Sequence, residues 1–349
     1  MLALPTAGTI SWNSYGILSP QRMHISHASL SRRQCTLASL SRINASVTMS
    51  PTAKKSIYTY YMRSLRDTII DYKQSGTALA HFNFSDSNQL TAIAEASRES
   101  NLPVLAGLSE GERDHFPLLH ARALVDAYQR QGVAIYLSAD HTYTLDKAKA
   151  AINDHVDILV VDGAKLSFAD NAKLLMQVVA YAHSKKRYRH YHDTIIEGEL
   201  GYIGQSSSVH DTLPEGVSEA NLTTPEEAAR LVAESGIDYL APAVGNVHGM
   251  LKSAKEPRLH PDRVKAIARA AGVPLVLHGA SGNTEEDIAA CIAAGIVVVH
   301  INTELRVLYR DKLREALQGD ETTPYKFVAP AVKAMQEYLV HKMQLFARG

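Results

Sequence analysis

Cysteine is nearly absent from this chain, since its 349 residues include only Cys35 and Cys291. Two widely separated cysteines exclude a disulfide scaffold and are typical of a protein from a reducing compartment. The chain also has no excess of charge, with 36 basic and 36 acidic residues, and no run near the roughly 20 apolar residues that a membrane span needs. We therefore expect an intracellular protein without nucleic-acid or membrane partners.

Acidic residues are missing from the beginning of the chain, where the first is Asp67. Serine and arginine are abundant in the same segment, which is the composition of an organellar presequence, and a mitochondrial location would follow from it. Alternatively, Met49 begins an ordinary-looking start, and the upstream part is an idle extension of a cytoplasmic protein. In both cases we assign residues 1–55 to an N-terminal extension, which we expect to be disordered, and residues 56–349 to one folded domain.

From residue 56 onward, apolar runs of strand length alternate with amphipathic segments of helical length. The eight predicted strands are Thr77–Phe84, Pro103–Leu108, Ala134–Ala139, Ile158–Val161, Thr194–Leu200, Tyr239–Val244, Pro274–Leu277 and Ile296–Ile301. Eight such pairs over about 270 residues predict a (β/α)8 TIM barrel, followed by an extra C-terminal helix over Pro330–Phe346. A doubly wound sheet is the alternative, but Phe82–Asp86 lacks the glycine-rich turn typical of its first strand.

Three of the predicted strands run into a histidine at their carboxyl ends, namely His141, His248 and His278. Because active sites of TIM barrels lie where the strands end, we expect these side chains to meet at one mouth. Three neutral imidazoles leave one coordination position open, which is the pattern of a catalytic Zn²⁺ site. Asp140, next to His141, is the natural general acid/base, although neighbours on a regular strand face opposite ways and the tip must twist or bulge.

A glycine-rich turn follows the third of these histidines. The backbone amides of Gly279 to Ser281 precede a helix that we predict to begin near Thr284, and could hold a phosphate at that helix N-terminus. An ordinary tight turn between strand and helix is an equally simple interpretation. Together, a metal, a phosphate site and an acid indicate carbon–carbon bond chemistry on a phosphorylated carbonyl compound.

Seven motifs resemble the class II, metal-dependent ketose-bisphosphate aldolases, which include the fructose- and tagatose-bisphosphate enzymes. They are Ala80-His81-Phe82-Asn83, Ser109-Glu110-Gly111-Glu112, Asp140-His141, Val161 to Phe168, Glu199-Leu200-Gly201, Gly245 to Met250 and Leu277 to Gly282. The resemblance runs from about residue 56 to the end of the chain.

The resemblance implies a role for each matching position. It implies that the three histidines bind zinc, that Asp140 exchanges a proton with the aldehyde-side hydroxyl, and that Asp162 and Glu199 line a second cation position. It implies that a phosphorylated sugar or dihydroxyacetone phosphate is bound, with a further divalent or a monovalent cation, in a homodimer or homotetramer. The implied substrate and phosphate contacts are Asn83, Ser109, Gly249, Gly279, Ala280, Ser281, His300, Asn302 and Thr303.

Three departures from the family pattern concern the substrate. The loop after Leu200-Gly201 reads Gln205 to Val209 and has no acid before Asp211, whereas the family carries an acidic pair there that moves a substrate proton. His300 stands where an asparagine usually contacts substrate, and Ser138 replaces a histidine two residues before Asp140.

Two classes of function follow from these features. The first is a zinc-dependent lyase that makes or cleaves the bond between dihydroxyacetone phosphate and an aldehyde. The second is a weakened barrel that binds metal and sugar phosphate as a sensor or assembly partner, and metal-dependent hydrolysis or isomerisation at the same mouth is a further alternative. A working aldolase would need another loop base, for which His210, Asp211 and Glu215 are the candidates.

Overall fold

The computed structural model describes residues 63–185, 193–204, 207–215, 217–218, 221–252 and 257–348. The extension that we predict for residues 1–55 therefore lies outside the described residues. Helices and strands alternate through the rest of the chain, as the sequence pattern indicates.

Eight parallel strands close into a barrel, in the order β1-β10-β9-β7-β5-β4-β3-β2. This arrangement confirms the prediction of a TIM barrel, and all eight predicted strands are present. The strands of the described part are Leu79–Asn83 (β1), Val104–Leu108 (β2), Ile135–Thr142 (β3), Ile158–Val161 (β4), Ile195–Leu200 (β5), Val209–His210 (β6), Tyr239–Pro242 (β7), Met250–Leu251 (β8), Leu275–Leu277 (β9) and Ile296–Ile301 (β10).

Helices surround the barrel and complete each strand–helix unit. Their bounds in the described part are Leu65–Ser75 (α1), Ser87–Ser100 (α2), Glu110–His115 (α3), Leu118–Arg130 (α4), Leu145–Asn153 (α5), Phe168–Ser184 (α6), Pro225–Ser235 (α7), Pro261–Ala271 (α8), Glu285–Ala294 (α9), Thr303–Ala316 (α10) and Pro324–Phe346 (α11). Local signals explain several ends. The Thr224 side chain accepts from the Glu227 amide at the start of α7, and Gly76, at φ 69°, ends α1.

The amino-terminal end of the barrel is filled by apolar side chains and covered by α1. Inward-facing residues such as Leu79, Tyr136 and Val276 form one buried cluster with Leu65 and Ile69 of that helix. The buried Tyr136 hydroxyl donates a hydrogen bond to the Arg63 carbonyl oxygen at 2.9 Å. This end of the barrel is a packed core, which leaves the opposite end for chemistry.

Three features differ from the sequence prediction. The extra C-terminal helix is present but begins at Pro324 instead of Pro330, because Pro324 occupies its first turn, where a missing N–H costs nothing. The short helix α3 and the two-residue parallel pair β6–β8 carry too few residues for a periodic signal.

No helix of the described part is long and apolar enough to cross a membrane.

Candidate active site

The tip of β3 holds Asp140 and His141 on the same side of the barrel mouth. Their pairing with β4 shifts register between Ala139 and Thr142, and His141 adopts a left-handed conformation with φ 43°. This is the bulge that two neighbouring strand residues need if both are to face one site. A non-glycine residue in this region carries strain, which the surrounding structure must hold in place.

Arg113 of α3 stabilises the bulged tip. Its guanidinium donates to the carbonyl oxygens of Leu108 and Asp140, at 3.1 and 3.0 Å, and to the Thr142 hydroxyl at 3.0 Å. Burial lowers the pKa of Arg113, but the side chain remains a cation. It therefore satisfies the carbonyl groups that the bulge would otherwise leave without partners.

The three strand-end histidines converge as the sequence predicts. The ring centroid of His141 lies 4.6 Å from that of His248 and 5.1 Å from that of His278. One nitrogen from each ring lies within 4.8 Å of the other two. This spacing brings three potential ligands around one point.

Two of these rings already use one nitrogen for a hydrogen bond and keep the other one available. His248 donates through Nδ1 to the Gly204 carbonyl oxygen at 2.7 Å, and His278 Nε2 lies 2.6 Å from Glu197 Oε1. The buried Nδ1 of His278 lies 3.2 Å from Glu199 Oε1 but makes no hydrogen bond to the described residues. Such outer contacts fix ring orientation at metal sites, so this donor set fits a metal ion.

Asp162 and Glu199 lie behind His141. Its Nδ1 is 3.3 Å from Asp162 Oδ2 and 2.8 Å from Glu199 Oε1. Burial and the nearby Glu199 charge raise the pKa of Asp162, whereas the field of His141 and His278 outweighs burial and lowers that of Glu199. The two carboxylates that the resemblance assigns to a second cation position thus both lie against one imidazole.

The imidazoles divide into two electrostatic groups. For His278, the charges of Glu199 and Glu197 outweigh burial and raise the pKa to about 10, and the pKa of His141 is raised by Asp140 and Glu199. Burial and the charge of His141 lower the pKa of His248 to about 4. A metal ion held by all three rings would therefore have to displace protons from His141 and His278.

Asp140 is buried and held at one oxygen. Its Oδ2 accepts from Asn83 Nδ2 at 2.9 Å, while Oδ1 accepts no hydrogen bond from the described residues. Burial would raise its pKa, but the neighbouring histidines, His141 first, lower it instead. The carboxylate is thus ionised and has a free oxygen beside the histidines.

Most of the predicted site residues line one pocket at the carboxyl ends of the strands. Its lining comprises Asn83, Asp140, His141, Ser207, His248, Gly249, His278, Gly279, Ser281, His300, Asn302 and Thr303. Of the other predicted contacts, Ser109 and Ala280 do not line it. Ser109 begins α3, and its amide donates to Glu112 Oε2 at 2.7 Å, while the Ala280 amide donates to the His300 carbonyl oxygen at 3.3 Å.

The glycine-rich turn lies beside two helix starts. The helix that we predict near Thr284 is present as α9, and the Thr284 side chain caps it by accepting from the Asp287 amide. The hydroxyl of Ser281 accepts from the amides of Asn302 and Glu304, at 3.3 and 3.5 Å, and so lies at the N-terminus of α10. The phosphate at the start of α9 stays a prediction, and the start of α10 offers a second position for an anion beside the same turn.

The barrel described above matches a known family. The sequence model of the family described as fructose-bisphosphate aldolase class-II matches residues 63–348 of the chain. The chain belongs to the class II fructose-bisphosphate aldolase family. As in the sequence interpretation, membership makes this barrel an enzyme of the aldolase type, a lyase.

Individual fructose-bisphosphate aldolases are similar to this chain over nearly their whole length. A fructose-bisphosphate aldolase of Staphylococcus epidermidis is 33% identical over 291 residues, which are 81% of this chain and 96% of the relative. That of Staphylococcus aureus is 32% identical over the same shares. The solved structure of the YdjI aldolase from Escherichia coli K12 superimposes with a TM-score of 0.67 at 25% identity, over 82% of this chain and 97% of the other. The family match begins at residue 63 and gives no support to a presequence before it.

Several side chains at this aldolase site carry no signal in the sequence. Arg306 of α10 donates to the Glu112 carboxylate and to the Ser207 carbonyl oxygen. It thereby connects the loop after β5 to Glu112, which also accepts from Asn83. Glu197 lies within the predicted strand Thr194–Leu200, and only its contact with His278 shows that it belongs to the site. His81 was only part of a motif, although it lies buried beneath the site.

Proposed function

We propose that this aldolase is zinc-dependent and makes or cleaves the bond between dihydroxyacetone phosphate and an aldehyde. The observation that supports this most directly is the convergence of His141, His248 and His278 beside the free oxygen of Asp140. Three imidazole nitrogens within 4.8 Å of one another suit zinc better than a hard cation such as Mg²⁺, which prefers oxygen ligands.

The three histidines would hold the metal, which when bound supplies a Lewis acid that polarises a substrate carbonyl. Glu197 and the Gly204 carbonyl keep the rings of His278 and His248 in the orientation that leaves a nitrogen free. Asp162 and Glu199 together with His141 form the most suitable place for a second cation. Their carboxylates also balance the charge of the first ion.

Asp140 is the proposed acid/base for the aldehyde-side hydroxyl. Asn83 fixes one of its oxygens, and the other faces the pocket without a hydrogen-bond partner among the described residues. An ionised carboxylate in this position can accept the hydroxyl proton during cleavage and return it during synthesis. Its low pKa keeps it in the accepting form at neutral pH.

The phosphate of dihydroxyacetone phosphate would lie between the turns at Gly249 and Gly279 and the start of α10. Gly249 and Gly279 have φ of 101° and 58°, and an added Cβ at Gly279 would lie 2.4 Å from the Val247 carbonyl oxygen. Both turns therefore bring backbone close to the pocket, next to the Ser281 hydroxyl and Thr303. Helix starts and exposed amides favour an anion at such a place.

Proton removal from dihydroxyacetone phosphate needs a base in the loop after β5. Asp211 is 86% exposed and lies 3.8 Å from Lys252, while Glu215 is also exposed. His210 lies against Gly249, because an added Cβ there would be 2.5 Å from the His210 ring. Since β6 pairs with β8 directly after Gly249, we infer that His210 is the best placed of the three candidates.

A weakened, ligand-binding barrel is the second candidate function. It is favoured by Ser207, which lines the pocket in the loop where the family carries an acidic pair. Serine is too weak a base to replace a carboxylate without an activating partner. His300, in place of a substrate-contacting asparagine, changes the hydrogen-bonding pattern at the same pocket.

The test compares the natural chain with the variant Ser207→Glu/His300→Asn. Each zinc-loaded protein is assayed for exchange of the dihydroxyacetone phosphate C–H proton with solvent and for cleavage of fructose 1,6-bisphosphate. We expect the natural chain to exchange protons but to cleave slowly, and the variant to cleave faster. Rapid cleavage by the natural chain would remove the sensor alternative. If the natural chain binds no zinc and catalyses no proton exchange, the zinc-aldolase proposal is refuted.

A further inference from the structure

A second histidine layer lies below the proposed metal ligands, formed by His81 on β1 and His300 on β10. We propose that His81 is a positioning residue that acts through His300 on the acid/base Asp140. This inference rests on the proposed function, in which Asp140 exchanges a proton with the aldehyde-side hydroxyl. Nothing in the family motifs assigns a role to His81.

The position of His81 is built into the neighbouring strand. Its side chain is fully buried, and a Cβ added to Gly107 of β2 would lie 2.3 Å from its Cε1 atom. Only glycine at this point of β2 leaves room for the imidazole. Both ring nitrogens lack hydrogen-bond partners among the described residues, which is a costly arrangement for a group that served packing alone.

The ring of His81 fixes that of His300. The two imidazoles stack with centroids 3.5 Å apart and planes 3° from parallel, and the opposite face of His300 stacks on His278 at 4.0 Å. His300 is therefore confined between a buried ring and a proposed metal ligand. Rotation of its ring out of this stack would require one neighbour to move.

The edge of His300 faces the oxygen of Asp140 that accepts no hydrogen bond from the described residues. The distance from His300 Nδ1 to Asp140 Oδ1 is 3.6 Å, whereas the other carboxylate oxygen is held by Asn83. His300 is thus placed to limit the orientation of the carboxylate from the side opposite Asn83. His81 reaches Asp140 through this contact and does not itself line the pocket.

A metal ion shared by His81, His300 and Asp140 is a different use of the same three side chains, which lie close enough together to hold one. The stacking disfavours it. Imidazole lone pairs lie in the ring plane, so two parallel rings 3.5 Å apart direct them side by side instead of toward one point. Burial also lowers the pKa of His81 to about 4, and an uncharged ring stacks without repulsion.

The experiment measures two reactions of the zinc-loaded enzyme in His81→Ala. Cleavage of the ketose bisphosphate requires Asp140, whereas C–H exchange of dihydroxyacetone phosphate depends on the loop base. We expect kcat for cleavage to fall by about 10- to 100-fold, because small displacements of a catalytic group have effects of this size. Zinc content and the exchange rate should stay unchanged.

Gly107→Ala supplies a second disruption from the other strand. It should lower cleavage in the same selective way, because the new methyl group displaces the His81 ring. In Gly107→Ala/His81→Ala the collision is gone, so we expect the loss of His81→Ala alone and not the product of both losses. Multiplicative losses would show that Gly107 acts independently of His81.

Leu79→Ala is the matched control, since Leu79 is fully buried on the same strand two residues below His81. It opens a cavity without touching the histidine stack, and the ratio of cleavage to exchange should not change. Equal loss of both reactions in His81→Ala would overturn the positioning role. If the natural chain catalyses neither reaction, the proposed function fails, and a crystal structure of His81→Ala decides the inference: an unmoved His300 would refute it.

Discussion

The two halves of the barrel interior differ although the same strands build both. In the lower layer, Leu79, Tyr136 and Val276 pack with the covering helix in a dry core. Two residues further along the same strands are His81, Ser138 and His278, whose buried polar atoms include several without hydrogen-bond partners among the described residues. A step of two residues keeps a side chain inside the barrel and moves it from the stabilising layer to the chemical one.

The comparison shows where the molecule gains stability and where it gives some up. Burial of the lower layer contributes about 25 cal/mol per Å² of apolar surface. Each unsatisfied polar group in the upper layer costs about 1–3 kcal/mol. Unpartnered groups that persist in a buried layer indicate a functional constraint, and a bound metal with substrate would satisfy several of them.

The largest expected effect comes from removing a proposed metal ligand of the upper layer. His278→Ala should abolish both zinc retention and lyase activity, because changes to outer contacts alone weaken metal binding by about 10- to 100-fold and a ligand matters more. Metal analysis of the purified variant, together with the cleavage assay, checks this. Full zinc content in the variant would mean that His278 is not a ligand.

Removing Asp140, the proposed proton-transfer group of the same layer, should change the reaction rate alone. Asp140→Asn keeps the shape and is expected to retain zinc while lowering cleavage by about 10² to 10⁴-fold. Zinc content and circular dichroism serve as controls for the site and the fold. Loss of zinc together with the fold would instead identify Asp140 as a structural residue.

The pH dependence of metal binding should show whether the histidines of the upper layer are protonated before zinc binds. Because the pKa of His278 is raised from 6.5 to about 10 without metal, zinc must displace a proton below that pH. Apparent zinc affinity should therefore rise about tenfold per pH unit for each displaced proton. The protonated ring also stabilises the metal-free fold below about pH 6.5, and this contribution is lost as the pH rises toward 10.

Calorimetric zinc titrations in buffers of different ionisation enthalpy would count the released protons. Glu199→Gln is the matched variant, because it removes the charge that most raises the pKa of His278 and should reduce the release. A zinc affinity independent of pH between 6 and 9 would contradict the assignment of these histidines.

The smallest effect on chemistry is expected from the lower layer. Leu79→Ala should lower the free energy of unfolding by about 2–5 kcal/mol, the usual cost of truncating a buried leucine. Zinc content and activity at low temperature should remain those of the natural chain. Denaturant unfolding measures the first and metal analysis the second, and a selective loss of activity would show that the two layers are not separable.

The sequence predicted the fold well because strand period and helix period are local properties. The runs Ile158–Val161 and Ile296–Ile301 were predicted with their observed bounds, and every strand of the barrel was found. The grouping of His141, His248 and His278 was also predictable, since parallel strands in a barrel bring their carboxyl ends together. Even the bulge at β3 followed from the need to turn Asp140 and His141 the same way.

The contacts between elements distant in sequence could not be predicted. Ser281 lies at the start of α10 because of the barrel closure, and Arg306 reaches Glu112 across the mouth, 194 residues away in the chain. The stack of His81 on His300 depends on the register of β1 against β10, where these two residues are direct partners. Both strands are buried along their whole length, so they lack the alternation of apolar and polar residues that indicates register in other sheets.

The glycine at position 107 has a consequence for protein engineering. While His81 occupies its pocket, any side chain on β2 at this point would place a carbon 2.3 Å from the ring. A larger residue at position 107 therefore requires the His81 ring to move or to be replaced by a smaller side chain. A library that varies positions 81 and 107 together should consequently recover a wider range of residues at position 107 than one that varies position 107 alone.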